Sequence, residues 1–71
     1  MRILHLEVND SGGWRRVMSF RAEEKSGVQG IGAMLLHLAD SPRIRARIIA
    51  PGDTAPLMTW TVSDGWKEWR A

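Results

Sequence analysis

The sequence predicts an α+β domain of order ββαββ, with one helix packed on a four-stranded, mostly antiparallel sheet. Three observations predict it. Residues 2–8, 14–22, 43–50 and 57–62 read as extended, most with side chains alternating in character at period two. One segment, 26–39, instead places apolar residues at helical spacings of three and four. Turn-forming clusters, NDSGG, DSP and PGDTAP, separate the segments. A helix on one face of such a sheet is the simplest way to cover this many apolar side chains.

In the first strand, RILHLEV, Leu4, Leu6 and Val8 share one face, and Ile3, His5 and Glu7 the other. NDSGG turns the chain into WRRVMSFRA, completing a hairpin. Strict alternation there puts Trp14, Met18 and Phe20 inward and Arg15, Val17, Ser19 and Arg21 outward, with Arg16 interrupting the apolar row. The helix is expected to begin at Ser26, where Ser26 and Gln29 fit a capping box. Glu23 and Glu24 precede it, at the positive end of the dipole. Val28, Ile31, Leu35, Leu38 and Ala39 form its apolar stripe, with Gly32 and Met34 on or near it. Gln29, Gly30, Ala33, His37 and Asp40 fall opposite, and DSP at 40–42 ends the helix. RIRARIIA then alternates most clearly of all, with Ile44, Ala46 and Ile48 one way and Arg43, Arg45 and Arg47 the other. LMTWTV returns with Met58, Trp60 and Val62 inward and Leu57 and Thr59 outward. SDGWKEWRA reads either as a helical turn or as a short extra strand after an Asp-Gly turn. Residues 63–71 are also a candidate docking tail.

At 71 residues the chain is one domain, 1–71. A core this small supplies only about 3–5 kcal/mol, so natural domains of this size often carry a staple. Without cysteine, disulfides and thiolate metal sites are excluded, and two histidines are too few for an all-histidine zinc site. Self-association remains, which makes a homodimer a candidate beside a plain monomer. No stretch resembles a secretory signal or a membrane span, so the expectation is a soluble, cytoplasmic protein with no membrane partner. A pI of 9.9 comes from eight arginines among ten basic residues. The formal net charge is only +2, so the distribution of charge matters more than its sum. An Arg-rich composition of this kind is also what a GC-rich bacterial genome produces.

The glycines of SGVQGIGAM raise and lose a nucleotide-loop reading. Gly27 and Gly32 have the G-x-x-x-x-G spacing, but Ala33 and Met34 stand where Lys and Ser or Thr are needed. Gly32 instead belongs on a buried helix face, where a missing side chain permits close approach. The Arg43, Arg45 and Arg47 stripe is the candidate nucleic-acid contact, its guanidinium groups ~6.6 Å apart along a strand, with Trp66 or Trp69 as a stacking platform. The same stripe is also what an ordinary solvated sheet face carries. Of four tryptophans, Trp14 and Trp60 are expected in the core. Trp66 and Trp69 either seal it or form an aromatic patch for a partner. No catalytic, cofactor or metal residues are assigned, beyond His5 and Glu7 sharing a strand face where a subunit cleft could use them. The expected function is therefore a small non-catalytic binding or accessory domain, acting through protein contact and self-association. A nucleic-acid-binding module is the alternative.

Overall fold

The computed structural model describes residues 2–10, 12–38 and 43–69, and the side chains of Leu35, His37 and Leu38 lie outside that description. The elements are β1 (Ile3–Asn9), β2 (Arg15–Arg21), a 3-10 turn (Ala22–Glu24), α1 (Lys25–Leu38), β3 (Arg45–Ile49), β4 (Met58–Thr61) and β5 (Gly65–Glu68). All strands join one antiparallel sheet in the order β2-β1-β3-β4-β5. The α+β class holds, but the sheet has five strands rather than four. The added one is β5, formed after the Asp64–Gly65 turn. Gly65 sits at φ +71°, a left-handed conformation that other residues adopt at a cost. The Thr61 hydroxyl accepts from the Asp64 N–H at 3.2 Å and tightens the same turn.

The other connections are closed by equally local chemistry. Asn9, itself buried, clips the β1–β2 loop by accepting from the Gly12 N–H and donating to the Gly12 carbonyl, both at 3.3 Å. After β3, Pro51 and Gly52 occupy the central positions of a turn closed by the Asp53 N–H on the Ala50 carbonyl at 3.1 Å. Gly52 has φ +81°, as the third position of a type II turn requires.

One helix face and the facing sheet side chains make the core. Leu4, Leu6, Phe20, Ile44, Ala46, Ile48 and Trp60 pack with Val28 and Leu36 of α1. The helix contributes Val28 and Gly32, as the spacing suggested, and Leu36, which the expected stripe did not include. Ile31 and Met34 are 63% and 67% exposed. The reason is a tertiary contact. Trp66 of β5 lies under the helix, its Nε1–H donating to the Gln29 carbonyl at 2.9 Å. Gly32 faces the sheet, where a Cβ would sit at ordinary contact distance from the Trp66 ring (3.7 Å) and Leu6 (3.8 Å). The helix also begins earlier than the Ser26 capping box implied. Lys25 is already helical, and Glu24 caps the preceding turn by accepting from the Arg21 N–H at 3.1 Å. The expectations for Leu35, His37 and Leu38 concern undescribed side chains, and those for Ala39 and the 40–42 stop fall outside the described residues.

A bulge in β2 overturns part of the face assignment. Leu6 pairs with Met18, but Glu7 pairs with Arg16, leaving Val17 as an extra residue. An inserted residue reverses the side-chain parity beyond it. Met18 and Phe20 therefore keep the helix side, while Arg16 and Trp14 move to the opposite face. Trp14, expected in the core, is only partly buried there. Two smaller corrections concern β4. Leu57 precedes the strand and packs against the core, and Val62 lies in the following turn, 45% exposed.

Candidate functional site

The sheet face turned away from the helix collects most of the polar chemistry. Strand register aligns Arg16, Glu7, Arg47, Thr59 and Lys67 in one row across all five strands. With strands ~4.8 Å apart the row spans roughly 19 Å. A second row sets Asn9 beside Arg45 and Thr61. Trp14, immediately before β2, lies against one arginine of each row. The Arg47 guanidinium carbon lies 4.2 Å from the Trp14 ring centroid and that of Arg45 5.8 Å, both within cation–π range.

Glu7 is the anion that this row neutralises within itself. Arg47 donates to its carboxylate from Nε at 2.8 Å and Nη2 at 2.7 Å, and both side chains are largely withdrawn from water. The expected Arg stripe is therefore not three equivalent cations. Arg47 is held by Glu7 and covered by Trp14. Arg45 is exposed beside the same ring, and Arg43 lies in the turn before β3 rather than in the strand. Arg45 stands between two hollows at this end of the sheet. One, of about 450 Å³, is lined by Asn9, Asp10, Gly12, Arg43 and Arg45. The other, of about 360 Å³, runs past Ile44 to Thr61, Val62 and Ser63. Arg16 and Lys67 complete the cationic margin, Lys67 at 3.6 Å from Asp64 on an exposed turn.

His5 and Glu7, placed on one face by alternation, do not act on each other. The His5 Nδ1 is 2.8 Å from the Ser19 Oγ, across the β1–β2 ladder, and His5 is 9% exposed. Glu7 belongs to Arg47. No cluster of three His, Cys, Asp or Glu able to hold a metal occurs among the described residues, and no helix there is long and apolar enough to cross a membrane.

The second surface is apolar and lies at the β2 edge. The burial of Trp66 beneath Gln29 and Gly32 turns the Gln29 flank of α1 toward β5. At about 100° per residue, Met34 then lies on the outer side of the helix, about 160° from Gly32, and Ile31 on the opposite flank, toward β2. There Val17 is 58% exposed on the bulge and Met18 41% exposed on the helix side. Of the candidate partner residues, Trp66 is committed to the underside of the helix, while Trp69 follows β5 and stays exposed. The bulge at Val17 is the feature that sequence reasoning missed. Its signal was Arg16, a charged residue interrupting an otherwise apolar parity. Compared with known protein families, curated proteins and solved structures, the chain matches none.

Proposed function

We propose that this chain is a small non-catalytic binding domain that works through protein–protein contact and self-associates. The observation that carries this reading is the exposure of Val17 and Met18 at the β2 edge and of Ile31 and Met34 on the helix above it. Large apolar side chains exposed near one another on a small domain mark contact sites. A stable interface removes about 800 Å² from each partner, roughly a sixth of the 4977 Å² accessible here. That is within reach of one edge strand plus one helix flank. Trp69, exposed at the other edge, offers a further contact. Glu7 is bound by Arg47 rather than poised beside His5, which favours a structural role for both over acid–base work.

Light scattering on the size-exclusion peak tests this. The wild type should run as a dimer and the Ile31→Glu/Met34→Glu pair as a monomer with unchanged circular dichroism. A wild type that stays monomeric at high protein concentration overturns the reading.

A further inference from the structure

We infer that the helix-free face of the sheet binds single-stranded nucleic acid, with the Trp14 ring as base platform and Arg16, Arg45 and Lys67 as phosphate contacts. This site is separate from the β2-edge patch and does not depend on it.

The charge balance of the face comes first. Its row of paired residues holds Arg16, Arg47 and Lys67; Glu7 is neutralised by Arg47, and Lys67 has Asp64 at 3.6 Å on an exposed turn. Arg45, from the neighbouring row, joins Arg16 as an exposed cation on the side of the sheet opposite the helix, with the Asp10 carboxylate in the same hollow, so two guanidinium groups and one exposed ammonium face solvent here. A polyanion is the complement to such a surface.

Trp14 narrows the class of polyanion. The bulge at Val17 moves this indole out of the core and onto the cationic face, against the Arg47 and Arg45 guanidinium groups. Its burial is only partial, so part of the ring system stays open to solvent. A flat ring among arginines suits an unpaired base, since every base has a π-face to stack and each is followed by a phosphate. An acidic peptide would use the cations and waste the ring. Duplex recognition needs an element that enters a groove, whereas these strands present a broad surface roughly 19 Å across. Two hollows open beside Arg45 at this end of the sheet, one toward Asn9 with the Asp10 carboxylate in its wall and one toward Thr61.

The test is fluorescence anisotropy of labelled oligothymidylate across a salt series, with the matching duplex and polyglutamate as competitors. Wild type should bind the single strand with a steep salt dependence, and neither competitor should displace it at equal charge. Arg45→Ala should weaken binding and reduce the log–log salt slope by about 0.7, the value of one single-strand phosphate contact. Trp14→Leu should weaken binding roughly 5- to 150-fold with the slope unchanged, as loss of one stacked base predicts, and Trp14→Phe should restore most of it. The Ile31→Glu/Met34→Glu protein should bind like the wild type. Lack of wild-type binding at low salt overturns the proposal. So does equal competition by duplex or polyglutamate, or a folded Trp14→Leu protein that binds as well as the parent.

Discussion

Arg47 places both Nε and Nη2 on a single oxygen of Glu7, Oε1, at 2.8 and 2.7 Å, across two neighbouring strands and 40 residues of chain. The pair is largely shielded from water, with Trp14 over the guanidinium. Removing one partner leaves the other charge poorly solvated. Glu7→Gln and Arg47→Met should each destabilise the fold by about 1–3 kcal/mol, and the double variant by less than their sum. Urea midpoints of the four proteins measure the coupling, and strict additivity would mean the pair contributes nothing of its own.

The glycines of α1 should respond differently from one another. Gly27 and Gly30 have no neighbour within 4 Å of a built Cβ, so replacing either with Ala should stabilise by about 0.5–1 kcal/mol through helix propensity. Gly32→Ala should also be tolerated, since its methyl would sit at ordinary contact distance from Trp66 and Leu6. Gly32→Leu would have to displace the Trp66 ring and should cost about 1–3 kcal/mol. Thermal melts rank the four, and tryptophan emission should shift to longer wavelength only for the Leu variant.

Gly65 tests the turn that creates the fifth strand. At φ +71° an Ala would carry a left-handed strain of about 1–2 kcal/mol. Against a total of about 3–5 kcal/mol for a core of this size, Gly65→Ala should lower the melting temperature clearly, while Gly12→Ala, at an exposed position without neighbours, should not.

Ser19 is the hydrogen-bond partner of a buried imidazole. Ser19→Ala removes it and should cost about 1–2 kcal/mol, whereas Ser19→Thr retains a hydroxyl and suits a strand. Equal stability of the Ala and Thr proteins in denaturant would mean that the 2.8 Å contact is energetically idle.

Much of the architecture was legible because alternation is a direct readout of a half-buried strand. Leu4, Leu6, Phe20, Ala46, Ile48 and Trp60 all lie in the core where parity put them. Alternation fails where the backbone itself slips. Read with a one-residue shift at Val17, the awkward row of Trp14, Arg16, Met18 and Phe20 separates into an outer pair and an inner pair. Nothing in strict period two marks such a shift except Arg16. Part of the helix face, Ile31 and Met34, was misread for a different reason. Apolar residues surround most of α1, so the sequence left the roll undetermined until Trp66 came to rest on Gly32. The site followed the same logic. Arg45 was visible from alternation, but its aromatic neighbour was not, because Trp14 reaches that face only through the bulge.

The strand order carries a consequence for how the chain finds this structure. The β1–β2 hairpin and the β3-β4-β5 meander each pair neighbours in sequence. The single ladder joining them, β1 to β3, closes a span in which β2 and the whole helix must already be threaded. Closing so long a span carries most of the chain-entropy barrier, and neither half alone encloses a core, since Leu4 and Leu6 must meet Ala46, Ile48 and Trp60. The β1–β3 ladder is therefore expected to form after the local ladders. Inserting residues between α1 and β3 should slow folding while leaving the speed of unfolding almost untouched.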